Sequence, residues 1–355
     1  MSIGLVAVLP AIKLSHDDMD VRENRMLAKW PAVSDIWHRG WSGFWRGFED
    51  AFNDRFFGRD ELMRMHSEFL AMLGECGNEK VLVGSDGWLY YRKALNAFDN
   101  AVHYDKAVKE AIAERLSGLA ERCRLHGKPF VVLIAPDKCR VYPEHVAQYL
   151  KVREDSWGRT EDLVRFLRSL GRFPVVYERS SLVDERKRRE SLLYFRQDTH
   201  WTQEGAWLGG FIGVCDAFAH LTGDSFRRLK EPGWRKMQDE QPGSDLAVML
   251  VCGVPPDDAS SYRWPVFPEG DECSTVGDRD FMVSESSLGR GTLFVLRDSF
   301  ALAMMPFLGR SYKRVYYRRG IEVRPEDGDA FEGSDAVLLE ICERNVIRLA
   351  GGQLD

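Results

Sequence analysis

The fold is decided by the stretch 293-LFVLRDSFALAMM-305, in which an apolar run precedes a short polar turn and a second apolar run follows it. The first run, Leu293 to Leu296, is typical of a buried strand, and the second indicates a helix. The turn between them carries Ser299. A hydroxyl between the carboxyl end of a strand and the start of a helix is exposed to reactants, and the helix offers backbone N–H groups to a developing oxyanion. The stretch therefore predicts a nucleophile turn in an α/β fold.

The turn has an ordinary alternative explanation, because Asp298 or Ser299 ahead of an apolar run is also typical of a helix N-cap. A second motif, 198-DTH-200, changes the balance by adding a carboxylate and an imidazole. In an extended loop, residues two apart point the same way, so Asp198 can orient the ring of His200 as a serine, histidine and aspartate triad requires. The two motifs together predict a catalytic triad of Asp198, His200 and Ser299.

Metal binding is the other chemistry that His200 suggests. A metal site needs at least a third ligand, and no His-x-x-x-His or Cys-x-x-Cys pattern stands near this residue. The chain has eight histidines, and the others are scattered without ligand spacing. We therefore expect no metal and no tightly bound cofactor, since acyl transfer through a serine requires neither.

Alternating helical and apolar segments surround the two motifs. Five apolar runs indicate strands: residues 130–134, 174–177, 293–296, 314–317 and 336–341. Strands joined by helical crossovers run parallel, so the pattern predicts a mostly parallel sheet flanked by helices. Ligands of such sheets bind outside the carboxyl ends of the strands. The turns at residues 136–138 and 343–345 project to the edge that carries Ser299, which makes Arg344 and Asn345 candidates for oxyanion or substrate contacts.

The composition is that of a globular protein. The chain has 355 residues with 44% hydrophobic and 12% aromatic content, enough to bury a substantial core. A formal net charge of −6, with no run of Lys and Arg interleaved with aromatics, argues against a nucleic-acid partner. The seven cysteines allow up to three disulfides, but buried free thiols are the plainer interpretation for several of them.

The N-terminal part differs in character from the rest. Residues 1–12 are apolar but too short to span a bilayer, and they lack the positive start of a secretion signal. Residues 30–57 carry aromatics at spacings of three and four, which predicts an amphipathic helix. Packing of that aromatic face in a core is the favoured interpretation, with carbohydrate stacking as the alternative.

These observations predict two domains. Residues 1–80 form an N-terminal anchor remnant and an aromatic-rich helical segment, and residues 81–355 form the catalytic domain. The catalytic domain opens with a β-hairpin at residues 81–91, indicated by alternation around a Ser-Asp-Gly turn. Residues 223–287 are richer in Gly, Pro, Asp and Ser, and we expect an irregular excursion that walls the substrate cleft.

The order and separation of the two motifs resemble the alginate O-acetyltransferase family of bacterial exopolysaccharide machinery, the AlgJ and AlgX type with an SGNH-hydrolase-like domain. Five further segments extend the resemblance along nearly the whole chain: 23-ENRMLA-28, 83-VGSDGWLY-90, 135-APDK-138, 141-VYPE-144 and 339-LEICERN-345. The resemblance implies a flavodoxin-like sheet. It also implies a triad whose order is circularly permuted relative to ordinary SGNH esterases, in which the nucleophile lies near the N-terminus.

The same resemblance implies O-acetylation of polysaccharide hydroxyls through an acetyl-serine intermediate. The expected partners are then a polysaccharide acceptor, an acetyl donor and a membrane-bound acyltransferase that passes the donor on. The expected location is the periplasm or the outer face of the cytoplasmic membrane, although residues 1–12 leave the signal or anchor undecided. A plain esterase with the same triad, a non-catalytic polysaccharide-binding module and a scaffold within an export complex remain alternatives.

One residue departs from the family pattern. The nucleophile turn usually contains Gly-Asp-Ser, whereas this chain has Arg297 at the glycine position. Glycine tolerates backbone conformations that arginine does not, so the turn geometry is in question. A solvated side chain is the favoured interpretation of Arg297, and contact with an anionic sugar is the alternative. The oxyanion is expected to bind the backbone N–H of Ser299 and one further donor, for which Arg297 and Asn345 are candidates.

Overall fold

The computed structural model of the chain describes residues 19–20, 25–26, 28–55, 62, 65, 79–95, 103–146, 158–223, 226–238, 242–250 and 257–351. The apolar start at residues 1–12 lies outside these ranges, as do Cys76 and Cys252. The five cysteines that are described, Cys123, Cys139, Cys215, Cys273 and Cys342, are free thiols. Within the same ranges, no helix has both the length and the apolar character needed to cross a membrane.

The strands are numbered in chain order. They are β1 (Met19–Asp20), β2 (Arg25–Met26), β3 (Val81–Val83), β4 (Leu89–Tyr91), β5 (Phe130–Ala135), β6 (Val175–Val176), β7 (Gly233–Lys236), β8 (Arg263–Val266), β9 (Ser274–Gly277), β10 (Phe281–Glu285), β11 (Thr292–Arg297), β12 (Arg314–Arg319) and β13 (Ala336–Cys342). The α-helices span Asp35–Arg55, Arg92–Leu95, Lys106–Leu125, Lys138–Val141, Arg159–Ser169, Arg179–Arg186, Gln203–Ala206, Ile212–Thr222, Asp245–Leu250, Met305–Ser311 and Gly328–Glu332. A π-helical turn, Trp207–Phe211, joins the two helices on either side of it.

The central sheet has seven strands in the order β6-β5-β13-β11-β12-β10-β9. The five strands from β6 to β12 are parallel, and β10 and β9 continue the sheet in antiparallel orientation. The predicted α/β fold with a mostly parallel sheet is therefore confirmed. Strand β11 lies between β13 and β12, so the turn that follows it is at the middle of the carboxyl edge.

Both faces of strands β5, β11 and β13 are buried, which explains their apolar runs. In β11, Leu293 and Val295 belong to one core cluster, whereas Phe294 and Leu296 belong to the other. The helical segment at residues 203–222 packs on the first face, and the helices Lys106–Leu125 and Arg159–Ser169 pack on the second. Because each face of β11 is held by its own layer, the position of the turn after it is fixed from both sides.

The segment at residues 223–287 is more regular than the sequence predicts. Its strands β9 and β10 extend the main sheet beside β12, and β7 pairs with β8 in a separate two-stranded sheet. The sequence did not predict these strands, because short antiparallel strands rich in polar residues show only a weak alternation of apolar and polar positions. Within this segment, the Asp245 N–H donates to Asp198 Oδ2 at 3.1 Å, and the expected wall of the cleft stays a prediction.

The prediction that the aromatic face of residues 30–57 packs in a core is wrong for the described part of this helix. Residues 35–55 are helical apart from Gly40, whose φ of 69° interrupts the helix. Trp37, Trp41 and Trp45 are 87%, 66% and 57% exposed, so this face does not enter the core of the described domain. Amphipathic spacing shows which side chains share a face, but it does not show what covers that face.

The predicted hairpin forms from β3 and β4, which pair in antiparallel register. Its turn contains Asp86 at φ 55° and Gly87 at φ 76°, the left-handed conformations that a Ser-Asp-Gly sequence favours. The predicted domain boundary near residue 80 stays a prediction, since residues 66–78 lie outside the described ranges.

Candidate active site

Ser299 lies two residues beyond the end of β11, at the carboxyl edge of the sheet. Its backbone is helical (φ −76°, ψ −17°), and a 3₁₀ turn at Phe300–Met304 leads into the helix Met305–Ser311. The cap of this turn is Asp298, whose Oδ1 accepts the Phe300 N–H at 2.9 Å, while the Ser299 side chain makes no capping bond. The capping explanation therefore applies to Asp298, and the exposed hydroxyl of Ser299 is left for another partner.

Hydrogen bonds with residues of strand β13 and of the turn after it fix the backbone of the turn that carries Ser299. Glu340 Oε2 accepts the N–H groups of Asp298 at 3.1 Å and of Ala301 at 3.2 Å. Asp298 Oδ2 in turn accepts the Cys342 N–H at 2.8 Å and Asn345 Nδ2 at 3.2 Å. These bonds occupy the N–H groups on both sides of Ser299 and fix the backbone from which its hydroxyl projects.

The two carboxyl groups beneath the turn titrate in opposite directions. Burial raises the pKa of Asp298, but the N–H groups of Cys342 and Phe300 and the charge of Arg344 outweigh it and hold the pKa below its usual range. Burial and the neighbouring Asp298 raise the pKa of Glu340 well above 4.5. The negative charge beneath the turn is therefore favoured on Asp298 over Glu340, whose Oε2 accepts two N–H groups.

The structure brings Asp198, His200 and Ser299 together. His200 Nε2 lies 2.7 Å from Ser299 Oγ, and His200 Nδ1 lies 2.6 Å from Asp198 Oδ1. Chemistry assigns the protons, because an ionised carboxylate only accepts: Nδ1–H donates to Asp198, and Nε2 accepts the Ser299 O–H. The His200 ring packs against Phe300 with centroids 4.9 Å apart. This is the hydrogen-bond order that a triad requires.

The loop that carries Asp198 and His200 differs from the expected extended conformation. Asp198 Oδ1 accepts the backbone N–H of His200 at 2.9 Å as well as its ring N–H, so the carboxylate folds over a turn. A short Asp side chain commonly bonds to the backbone two residues later. The Asp198 carboxylate therefore reaches the His200 ring through an Asx turn, and not because residues two apart share one face of an extended strand.

The pKa values of Asp198 and His200 shift in the directions expected of an ion pair. Burial alone raises the pKa of Asp198, but the hydrogen bond and charge of His200 lower it to about 2. Burial lowers the pKa of His200, whereas the hydrogen bond and charge of Asp198, aided by Asp245, raise it above 6.5. The ring is thereby poised to accept a proton near neutral pH.

Asp245 is a second carboxylate at the site, and the sequence does not single it out. Its Oδ2 lies 3.7 Å from His200 Nδ1, its side chain accepts the N–H and the hydroxyl of Thr199 at 2.7 Å each, and its N–H donates to Asp198 Oδ2 at 3.1 Å. Gly243 makes this approach possible, since a Cβ there would lie 2.7 Å from Asp198 Oδ2. Burial and the charge of Asp198 raise the pKa of Asp245.

Lys138 is the second group that the sequence did not assign a role. It follows β5 and is 4% exposed, and its Nζ donates to backbone carbonyl groups of the loop that carries His200. Burial lowers the pKa of Lys138 to about 7, although the carboxylates of Asp198, Asp245 and Asp257 oppose this shift. A lysine is a common surface residue, so only the fold reveals its position.

The position of Arg297 differs from both interpretations of its side chain, which were exposure to solvent and contact with an anionic sugar. It is 2% exposed, and its guanidinium donates to the carbonyl groups of Asp298 at 3.3 Å and Arg279 at 2.8 Å. It is therefore neither solvated nor directed at a sugar, because its strand lies inside the sheet. Its backbone pairs with Arg319 as an ordinary strand residue, so a glycine is not needed at this position.

The other two predicted candidates differ in position. Asn345 donates to Asp298 Oδ2 at 3.2 Å, which assigns its amide to support of the turn rather than to an oxyanion. Arg344 pairs with Asp137, and its guanidinium lies over the Phe300 ring at 5.0 Å and the Tyr91 ring at 5.7 Å. Arg344 also lines a small cavity with Thr199, next to the predicted triad.

A metal has one conceivable location within the described ranges, the cluster of Asp198, His200 and Asp245. Ligands bonded to one ion at about 2.1 Å stand close to 3 Å or more apart. The 2.6 Å separation of His200 Nδ1 and Asp198 Oδ1 is instead that of a charge-assisted hydrogen bond. The cluster is therefore better suited to moving a proton than to holding a metal.

Comparison with known proteins gives a partial sequence match. Residues 81–210 match the family described as "SGNH hydrolase-like domain, acetyltransferase AlgX". That match includes Asp198 and His200 and ends before Ser299. The chain is 26% identical over 131 residues to the probable alginate O-acetylase AlgJ of Pseudomonas putida, which is 37% of this chain and 32% of that protein. The chain thus matches about a third of the length of this curated relative.

Solved structures extend the similarity to the fold. Bacillus cereus PatB1 superposes with a TM-score of 0.51 at 14% identity, covering 76% of this chain and 97% of that one. A DHHW family protein from Eubacterium siraeum superposes with a TM-score of 0.52 at 15% identity, covering 79% and 97%. At such identities the likeness concerns the fold alone.

Proposed function

We propose that the chain is an O-acetyltransferase that acetylates hydroxyls of a bacterial exopolysaccharide, in keeping with its similarity to proteins of the AlgX and AlgJ type. The observation that carries the proposal is the continuous hydrogen-bond chain from Asp198 through His200 to the exposed hydroxyl of Ser299, with distances of 2.6 and 2.7 Å. Such a chain activates a serine for attack on an acyl carbon.

In the first half-reaction, His200 Nε2 removes the proton of Ser299 while Oγ forms a bond to the acetyl carbonyl carbon of the donor. The carbonyl electron pair moves to oxygen, and the tetrahedral oxyanion collapses as the bond to the donor oxygen breaks. His200 gives its proton to that leaving oxygen. Asp198 stabilises the imidazolium in between, and the product is an acetyl ester on Ser299.

The second half-reaction repeats these steps with a sugar. A hydroxyl of the polysaccharide gives its proton to His200 and attacks the acetyl carbon. The bond to Ser299 Oγ then breaks, and Oγ recovers the proton from His200. The Ser299 hydroxyl is exposed, which suits an acceptor on a long polymer because a polymer cannot enter a closed pocket.

The oxyanion requires donors near Ser299 Oγ. We assign the first to the backbone N–H of Ser299, since the N–H groups of Asp298, Phe300 and Ala301 already bond to carboxyl oxygens. We assign the second to Arg344, whose charge acts on His200 and whose guanidinium lies against Phe300. A cation there stabilises the negative charge that develops in the transition state.

The partners and location follow from the same proposal. An acetyl donor is needed outside the cytoplasm, and a membrane-bound acyltransferase that passes the group to Ser299 would supply it. We place the protein in the periplasm or at the outer face of the cytoplasmic membrane. The residues N-terminal to the catalytic domain are the part from which an anchor would come.

The test separates transfer from its alternatives. The protein is incubated with a chromogenic acetyl ester and candidate polysaccharides, and both free acetate and polymer-bound acetyl groups are measured by mass spectrometry. Acetyl on the polymer supports the transferase. Release of free acetate that does not decrease when polysaccharide is added identifies an esterase that uses the same residues. Polymer binding without ester turnover identifies a binding module.

A further inference from the structure

A lysine is buried beneath the loop that carries Asp198 and His200. Lys138 Nζ donates to the carbonyl oxygens of Phe195 at 3.0 Å, Arg196 at 2.9 Å and Asp198 at 2.6 Å. All three acceptors are backbone groups of this one loop. An ammonium group has three N–H donors and no acceptor, so these three bonds satisfy it completely.

The loop has little regular structure of its own. Within residues 194–201, the backbone bond from Phe195 N to His200 O at 3.2 Å and an isolated bridge between Tyr194 and Trp201 tie its ends together. The carbonyl groups between them point inward at Lys138 Nζ. Without a donor there, the carbonyl oxygens of Phe195 and Asp198 would lose the hydrogen bond from Nζ, and the loop would have to rearrange to reach another donor.

Lys138 also joins the loop to the hairpin of β3 and β4. Nζ lies 5.2 Å from the Tyr90 ring centroid and 5.7 Å from that of Trp88, within the range of cation–π attraction. The Leu89 N–H donates to Arg196 O at 2.9 Å, so the same carbonyl receives bonds from both the hairpin and the lysine. The hairpin, the turn after β5 and the loop meet at this one ammonium group.

We propose that Lys138 is a positioning residue, whose ammonium group holds the loop so that His200 Nε2 stays within hydrogen-bond distance of Ser299 Oγ. This inference rests on the acyl-transfer function proposed above. Lys138 touches neither the reacting hydroxyl nor the imidazole, and it acts through the backbone of Asp198. A displacement of about 1 Å in such a site can cost about 100-fold in rate.

The test is turnover of a chromogenic acetyl ester by the full chain carrying Lys138→Met. Methionine fills a similar volume but donates no hydrogen bond. We expect kcat to fall by about 10- to 100-fold with KM changed by less than about threefold, because the loop moves the base and not the ester-binding surface. The acidic limb of the kcat profile should also move to lower pH, since a displaced Asp198 stabilises the imidazolium less.

A matched control exists at the opposite edge of the sheet. Lys128, which precedes β5, is also buried and donates through Nζ to the carbonyl groups of Glu332, at 2.8 Å, and Ser334. Lys128→Met removes the same kind of interaction away from His200. It should leave kcat and the pH profile unchanged even where it lowers thermal stability.

Rescue adds a readout that a structural role alone would not give. Lys138→Ala leaves space for a small ammonium ion, and added methylammonium should restore part of the lost kcat in this variant but not in Lys138→Met. Unchanged kcat in a folded Lys138→Met, or an equal loss in Lys128→Met, would overturn the inference. If neither Lys138→Met nor Lys138→Ala folds while Lys128→Met does, Lys138 is structural, and the inference is wrong. Absence of turnover in the unmodified chain would instead count against the proposed function.

Discussion

Replacing Asp198 by asparagine isolates the charge of the predicted triad, because the two side chains have nearly the same shape. In the structure the carboxylate accepts the ring N–H of His200 at 2.6 Å, its backbone N–H at 2.9 Å and the Asp245 N–H at 3.1 Å. The pKa of Asp198 falls from 3.8 to about 2, with the bond and charge of His200 opposing burial. A shift of this size corresponds to about 2 kcal/mol in favour of the ionised carboxylate, as the net of its hydrogen bonds and the charge of His200 against burial.

The sign of the effect follows from that interaction. The carboxylate favours the imidazolium, so its loss lowers the pKa of His200, and the acidic limb of kcat moves to lower pH. The transition state contains the imidazolium, so losing about 2 kcal/mol costs roughly 30-fold in kcat. An amide that stabilises the wrong ring tautomer increases the loss. Asp245, 3.7 Å from Nδ1, limits it by supplying a second negative charge.

The assay is hydrolysis of a chromogenic acetyl ester over about pH 5 to 9, with kcat and KM determined at each pH. Asp216→Asn is a matched control, since it removes an exposed carboxylate that pairs with Arg228 on the surface. We expect the control to match the unmodified chain. A fall of less than about threefold in kcat for Asp198→Asn, with an unmoved acidic limb, would refute the role of this charge.

Substitutions at three further positions test other parts of the site. Ser299→Ala should abolish ester turnover with little change in melting temperature, because the hydroxyl is exposed and caps nothing; residual turnover at the original rate would exclude Ser299. Gly243→Ala should lower kcat, since its Cβ would lie 2.7 Å from Asp198 Oδ2, whereas Gly118→Ala, with no atom near, should not. Glu340→Ala should cost about 2 to 4 kcal/mol in urea unfolding at neutral pH, because it leaves two N–H groups unpaired and a cavity. Glu340→Gln should lower the free energy of unfolding much less at neutral pH. Because the pKa of Glu340 is raised in the folded state, this residue favours folding below about pH 4.5, and its contribution is lost as the pH rises. The stability of the Gln variant should lack this pH dependence.

The fold and the meeting of the two motifs could be predicted from the sequence. The strand β11 has four apolar residues because both of its faces are buried, and parallel strands bring their carboxyl ends to one edge. This rule places Ser299 at that edge, and local periodicity carries the information because it reflects the layers of the fold. No strand of the sheet ends at Asp198, so the meeting of Asp198 with Ser299 is predicted instead from the groups that a triad requires.

The supporting residues could not be predicted in the same way. Lys138 and Asp245 are single polar residues, and their roles arise from contacts about 60 and 47 positions away along the chain. Arg297 shows the opposite error, since a charged residue at a strand end suggests solvent, whereas the neighbouring strands bury it. The exposed face of Trp37, Trp41 and Trp45 shows that amphipathic spacing does not identify the partner of a face.

The most direct test of the central claim is to trap the acetyl-enzyme. The chain is mixed with an acetyl ester, quenched in acid and digested, and the peptide that contains Ser299 is analysed by mass spectrometry. The account predicts a single acetyl group on Ser299, absent from Ser299→Ala and discharged when an acceptor polysaccharide is added before the quench. Ester turnover with no acetyl group on Ser299 at any time point, or equal turnover by Ser299→Ala, would contradict it.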